Sequence, residues 1–557
     1  MSNNKPLSEY PRPQLKRDSY FSLNGLWDYK IQKEDTIPES YDGKILVPFS
    51  PETKAGGVEK MVGPDDYLFY HLSFKLDNFE IKDMVFLHFL AVDQIADVYL
   101  NGQYLGQHIG GCLPFKFEIK KYLKEENELI VKVQDKTDIN SLSRGKQKIE
   151  RGGIWYTPQS GIYFPVFIES VSKDYIENIK VTPSIDNSEV KLIVSSSADK
   201  VNVYLENDCY EIDANKQVSL KIKELRLWSP EDPYLYELKL ETKNDKVESF
   251  FAMRKISKVM HNGHLVLALN NQPYFMNGIL DQGYYKNGLY TPESYEDYIK
   301  DIELVKSLGF NTIRKHIKIE MPRWYYECDK RGILVWQDFV NGGGKYKFST
   351  IAFPLITGIH HKDNNYKKFA REDKVARESA LQEFKDTISY LYNVPSIVLW
   401  TIFNEGWGQF DSKEVYEEVS KLDHTRLFDH ASGWHDQGIS DVKSLHVYFK
   451  KVKLPKEKKD RAIILSEFGG FLFPIKDHMM EGKKTYKSFK NEEEWINNFE
   501  NCINRDVVEN IQKGLAASIY TQLSDVEDEL NGFVTFDREV VKVNPEKLKL
   551  IISKAKF

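Results

Sequence analysis

The chain is predicted to be multidomain: an all-β sandwich, a second β-sandwich of immunoglobulin size, and a (β/α)8 TIM barrel. Its 557 residues exceed what one core usually holds, since a domain takes about 150 residues. The first part of the chain reads as short alternating runs divided by turn residues, the pattern of half-buried antiparallel strands. Beyond residue 258 strands alternate with helical patterns, which implies parallel strands joined by crossovers. The units are placed at 1–172, 173–257 and 258–557.

In the first unit the runs are WDYKI, YLFYHLSFKL, MVFLHFL, IADVYLNGQYLG, ELIVKVQD and YFPVFIESV, and Asn101-Gly102 is a strong hairpin signal. ENIKVTPSI, EVKLIVSSS, KVNVYLEN, QVSLKIKEL, YLYELKLET and VESFFAMRKI follow in the second. In the third, Thr291-Pro292 opens a helix with proline at its first position, and Gly309 stops it. Leu381, Phe384, Ile388 and Leu391 mark another amphipathic helix. The eight predicted barrel strands are 274–280, 311–317, 333–339, 396–403, 426–431, 444–449, 462–468 and 515–523.

Composition narrows the partner. Formal net charge is −6 and the cations are scattered, so no basic stripe points to nucleic acid or a membrane surface. Aromatic residues make up 13%; most belong to cores, but flat rings also suit the C–H faces of sugars. Cys112, Cys209, Cys328 and Cys502 lie far apart without ligand spacing, which predicts neither a zinc site nor a disulfide framework. No metal or cofactor is expected. The opening MSNNKPLSEYPRP lacks a signal pattern and no apolar run approaches a membrane span, so a cytoplasmic protein is expected.

Chemistry is carried by two glutamates that each close an apolar strand: Glu405 in TIFNEGWG and Glu467 in IILSEFGG. Strand ends of a TIM barrel carry its active site. Acetal cleavage requires one carboxyl to protonate the leaving oxygen and another to capture or stabilise the oxocarbenium-like sugar. Two strand-end carboxylates in one barrel therefore point to glycoside hydrolysis.

The chain resembles glycoside hydrolase family 2, the family of β-galactosidases, β-glucuronidases and β-mannosidases. The resemblance rests on an ordered set: LNGLWDYK, VYLNGQYLG, ENELIVKVQD, GGIWYTPQSGIYFPVFIE, LWSPEDPYLYEL, FAMRKI, LGFNTIRKH, RGILVWQDF, FNEGWG and SEFGG. It implies a jelly-roll sugar-binding domain, an immunoglobulin-like domain, a catalytic barrel, and retention of configuration through a glycosyl-enzyme. By motif, Glu405 is implied as general acid/base, Glu467 as nucleophile, Asn404 as a bond to the sugar 2-hydroxyl, and Arg314 and Tyr448 as donors to the nucleophile. His446, His316, Asp281, Trp407 and Trp434 are further candidate substrate contacts.

The sequence departs from named subfamilies. Where the family's glucuronidases carry Asn-x-Lys, this chain reads Glu529-Leu530-Asn531, inside an acidic loop at 524–532. Like charge there is expected to oppose a uronate. The long segment 340–373 carries Lys345, Lys347, His360, His361, Lys362, Lys367 and Lys368, expected as a solvated face or a binding loop. The expected substrate is an oligosaccharide or glycoside with a terminal neutral sugar, galactoside first, with α-L-arabinopyranoside, β-glucoside and β-uronide as alternatives. A carbohydrate-binding protein without catalysis is the competing class, and homo-oligomerisation is left open.

Overall fold

The computed structural model describes residues 5–456, 460–480 and 487–557. Its N-terminal unit packs a six-stranded sheet on a four-stranded one. Their inner faces supply one apolar core that includes Trp27, Tyr70, Leu87, Val98 and Val131. Ile95–Leu100 and Gln103–Ile109 pair antiparallel around Asn101-Gly102, both with positive φ, the conformation a two-residue hairpin turn requires.

The second unit holds three strands against four. Six runs were anticipated; the seventh strand is Asp208–Asp213. Its sequence DCYEID has few β-branched residues, and pairing with Lys200–Leu205 forms it. This is a tertiary contact prevailing over weak local propensity.

Eight parallel strands then build the barrel: β1 Met276–Asp281, β2 Thr312–Lys315, β3 Leu334–Asp338, β4 Ile397–Thr401, β5 Leu427–Asp429, β6 Val442–Val447, β7 Ala462–Gly469 and β8 Leu515–Thr521. Hydrogen bonds join them in the order β5-β4-β3-β2-β1-β8-β7-β6. At the remaining seam, Asp441 and Phe428 exchange bonds of 3.1 and 3.0 Å, so the barrel is nearly closed. A hairpin, Ile256–His261 and His264–Leu269, floors it: Ile256, Val266 and Leu269 pack with Met276, Leu280, Trp336 and Ile464 from the strands.

The first barrel helix runs Tyr295–Ser307 rather than from Thr291. Ser294 is its N-cap and donates its amide to Asp297 at 3.0 Å; the acidic partner three residues on outweighs the proline signal. Lys374–Leu391 forms the second expected helix. The four cysteines are free, and no helix among the described residues is long and apolar enough to cross a membrane.

Candidate active site

Alternation along the strands decides which side chains enter the barrel. On β6, Val442 joins the internal core while Leu445 and Val447 pack outward against the helices. His446 therefore turns inward, and so does Tyr448 just beyond the strand. On β7, Ile464 is internal and Leu465 external, which leaves Ser466 inside and would send Glu467 out. A bulge reverses this. The register with both neighbouring strands shifts between Leu465 and Phe468, and the extra residue lets Ser466 and Glu467 both face inward. Ser466 bonds Ser432 and Ser444 there, and Phe468 resumes the outer core. Bulges re-aim side chains in this way next to functional sites.

Glu405 is aimed by a turn. Its φ is +49°, the left-handed region that a non-glycine residue adopts at some cost. The surroundings fix that conformation: its amide donates to Ser432 O at 2.9 Å, Trp407 N donates to Asn404 O at 2.8 Å, and Trp434 Nε1 donates to Glu405 O at 2.9 Å. Both glycines of FNEGWG are sterically required. A Cβ on Gly406 would lie 2.5 Å from the His435 ring, and one on Gly408 1.8 Å from Gly342 O.

Arg314, on β2 and fully buried, ties the site together. It forms a bidentate pair with Asp338 at 3.0 Å on both arms, and donates to Glu467 Oε1 at 3.0 Å and to Asn404 Oδ1 at 2.9 Å. Because the guanidinium only donates, it fixes the Asn404 amide with oxygen inward. Nδ2 is left as a buried donor without a partner among the described residues. Tyr448 Oη donates to the other Glu467 oxygen at 2.6 Å.

His446 stands between the glutamates, Nδ1 at 2.8 Å from Glu405 Oε1 and Nε2 at 3.5 Å from Glu467 Oε1. One ligand oxygen from each glutamate and one nitrogen of His446 lie within 4.8 Å of one another. The carboxyls titrate in opposite directions. Burial raises Glu405, and the charge of Glu467 adds to this. For Glu467 burial also opposes ionisation, but the electrostatic interactions with His446 and the Arg314 guanidinium and the Tyr448 hydrogen bond outweigh it and hold the group below the usual carboxylate range.

The remaining candidates divide. His316 shares Asp338 with Arg314 at 2.8 Å, packs edge-on against Trp407 at 6.1 Å, and is pushed down to about 4 by burial. Trp407 is buried with its Nε1 unpartnered among the described residues. Trp434, expected as a sugar contact, braces the Glu405 backbone through its indole N–H and packs on His446 at 5.5 Å. Asp281, also expected at the sugar, belongs to another network. Leu280 is internal on β1, so Asp281 next to it faces the helices, where Lys315 Nζ at 2.6 Å and the Gly283 amide at 2.8 Å occupy its two oxygens.

A wall not anticipated from sequence comes from the N-terminal sandwich. Its loop 136–160 is pinned to the barrel by Arg144 and Gly145, whose amides both donate to Asn341 O at 2.9 Å. Trp155 then packs at a tilt against Trp407, ring centroids 4.9 Å apart, and lies 5.7 Å from Tyr346. Lys146 places Nζ 5.8 Å from the Trp407 ring.

The acidic loop after β8 packs against this wall with its charges matched. Glu527 takes the Thr157 amide at 3.1 Å and Arg151 at 3.3 Å, Asp528 takes Arg151 at 3.2 Å, and Asp525 binds Lys542. It is therefore not the unpaired negative patch that its sequence suggests. In the segment 340–373, Lys345, Lys347, Lys362 and Lys367 are exposed, while Arg371 donates to Gly408 O at 2.8 Å and His435 holds Thr350 O at 2.8 Å.

Among the described residues, Glu405, His446 and Glu467, and separately His478, Asp537 and Glu539, have the proximity a metal would need. In the first group Arg314 already lies 3.0 Å from Glu467 and 3.5 Å from His446, so a divalent ion there would oppose a fixed cation.

Residues 60–168 match the family model "Glycosyl hydrolases family 2, sugar binding domain", 174–254 match "Glycosyl hydrolases family 2", and 266–552 match "Glycosyl hydrolases family 2, TIM barrel domain". A β-galactosidase of Thermoanaerobacter pseudethanolicus is 25% identical over 450 residues, 74% of this chain and 56% of that protein. The chain spans about half the length of the curated relatives it matches. Among solved structures, a β-D-glucuronidase from Dictyoglomus thermophilum aligns at TM-score 0.75 and 20% identity over 98% of this chain and 99% of that one. A β-galacturonidase from Eisenbergiella tayi aligns at TM-score 0.74 and 17% identity over 98% and 100%. At these identities the structural likeness concerns the fold, whereas the barrel match alone covers more than half of the sequence. The chain belongs to glycosyl hydrolases family 2.

Proposed function

We propose that the protein is a retaining, exo-acting β-glycosidase that releases a terminal neutral sugar, galactoside first. One observation carries this reading: two buried carboxyls with oxygens within 4.8 Å of each other and opposite titration shifts. Retaining enzymes hold their carboxyls about 5–5.5 Å apart, close enough for one to attack the sugar directly.

Glu405, protonated, donates to the glycosidic oxygen as that bond breaks, and the ionised Glu467 attacks the anomeric carbon. The products of this step are the free aglycone and a glycosyl ester on Glu467. Esterification removes the Glu467 charge, one of the causes that raised Glu405, so Glu405 is now ionised more readily and can act as a base. It takes a proton from water, the oxygen attacks the anomeric carbon, and the ester carboxylate leaves. Asn404 Nδ2, oriented by Arg314, is a donor for a sugar hydroxyl.

The relatives' names cover a galactoside, a glucuronide and a galacturonide, which differ in C4 configuration and in charge at C6. The neutral choice is supported by Glu529 and Asn531 standing where the family's glucuronidases carry Asn and Lys. A panel of nitrophenyl β-galactoside, β-glucoside, α-L-arabinopyranoside, β-glucuronide and β-galacturonide tests it. Turnover of a neutral member at tenfold or better efficiency over either uronide, about 1.4 kcal/mol, is expected. Binding without turnover across the panel would favour the non-catalytic class.

A further inference from the structure

Lys146 is contributed by the sandwich, yet its charge is felt at the catalytic residues. Burial raises Glu405 and Lys146 pulls it back; burial lowers His316 and Lys146 adds to that. The lysine is 6% exposed and lightly bonded for a buried cation. Its ammonium has three donors, but among the described residues the acceptors recorded for it are Tyr156 Oη at 3.3 Å and Glu529 Oε2 at 3.6 Å, the latter beyond hydrogen-bond range. Tyr156 Oη itself donates to Glu529. The other acidic side chains nearby are engaged: Glu527 and Asp528 by Arg151, and Asp525 by Lys542. Lys146, with Glu529 at 3.6 Å, thus brings a charged pair to the side of Trp407.

We infer that Lys146 and Glu529 act together as the specificity pair of the sugar site, reading a hydroxyl on the terminal sugar, with Glu529 as the counter-ion that excludes a uronate. A hydroxyl donates and accepts at once, so it satisfies an ammonium on one side and a carboxylate on the other. A uronate carboxylate only accepts. It would meet Lys146 favourably but press a second buried negative charge against Glu529. Removing the Glu529 charge leaves an uncompensated lysine, and the same pocket becomes a receptor for an acid sugar.

This inference rests on the glycosidase reading, and the test separates the two. Efficiencies on nitrophenyl β-galactoside and β-galacturonide are measured for the full-length enzyme and for Glu529→Gln, Lys146→Met and the double variant. Glu529→Gln is expected to raise the galacturonide-to-galactoside ratio by about tenfold or more, and adding Lys146→Met is expected to abolish that gain. A ratio within about threefold of the wild type in Glu529→Gln, or a gain that survives without Lys146, overturns the pair. Should Glu529→Gln not fold, Lys146→Met decides: a rise of about tenfold in KM for the galactoside with kcat largely kept supports contact with bound sugar, and an unchanged KM refutes it. No turnover of any glycoside by the wild type would instead defeat the glycosidase reading.

Discussion

Inside the barrel, His446 and Tyr448 stand two residues apart at the end of one strand, and both turn toward Glu467. Beside them, Lys146, Trp155 and Tyr156 come from a sandwich loop in which no periodicity orders them. The inner group is aimed by strand geometry and held by Arg314, whose partners Asp338, Asn404 and Glu467 lie on three different strands or their ends. The wall is aimed by contacts between domains: two amides on Asn341 O, Arg151 on the loop after β8, and one indole on another. Chemistry is therefore concentrated where the scaffold is most regular, and recognition where two domains meet. Substitutions in the inner group should reduce kcat, and those in the wall should act through KM.

Glu467→Gln should have the largest effect, a fall of about 10⁴-fold or more, at least about 5.5 kcal/mol, on activated and natural substrates alike. No leaving group, however good, replaces the missing nucleophile. A fluorinated inactivating sugar should label Glu467 in the native enzyme, read by peptide mass spectrometry. A stable label on any other residue would displace it from the role.

Glu405→Ala should come next, and should depend on the leaving group. Natural glycosides need the proton and should lose about 10²–10⁴-fold, whereas a nitrophenyl substrate should retain its first step. Azide should then restore turnover, because an anion that needs no deprotonation can attack the glycosyl ester. Unchanged activity with no response to azide would take Glu405 out of the mechanism.

Tyr448→Phe should cost about 10–100-fold in kcat/KM, the size of a hydrogen bond to a charged group at about 1.5–3 kcal/mol. It should also move the pH profile. Tyr448 helps to keep Glu467 ionised, so its loss raises the Glu467 pKa, and the acid limb, below which Glu467 is protonated, shifts to higher pH. The alkaline limb, set by the raised Glu405, has no hydrogen bond to Tyr448 and should move less. A profile that falls in height without shifting its acid limb would reduce Tyr448 to packing.

Strand parity explains most of what the sequence disclosed. The eight barrel strands were legible because each is an apolar run bounded by turn residues, and FNEGWG and SEFGG marked their own strand ends. Asp281 shows the limit. It was read from nearness in sequence to a strand end, but it has the opposite parity to Leu280, a check that the strand itself offered. Trp434 spends its indole N–H on the Glu405 carbonyl, which no local pattern encodes. The Glu467 bulge inverts the parity rule within SEFGG. Lys146 and Trp155 left still less signal, because only the docking of the sandwich on the barrel brings them to Trp407. Acidity was misread for a related reason: 524–532 looks uncompensated in sequence, and Arg151, which pairs with both Glu527 and Asp528, lies more than 370 positions away.

Trp155→Ala should have the smallest effect and most directly tests the division between chemistry and wall. Its ring packs at a tilt against Trp407 at 4.9 Å, and an aromatic pair contributes about 0.5–1.5 kcal/mol beyond its burial. Losing it frees Trp407, whose backbone amide closes the turn on Asn404 O, without removing any group bonded to Glu467. A rise of about 3–10-fold in KM is therefore expected, with kcat within about twofold and both pH limbs in place. A matching drop in kcat, or a shifted alkaline limb, would mean that the wall positions Glu405 as well as the sugar, and the two regions would then have to be treated as one catalytic unit.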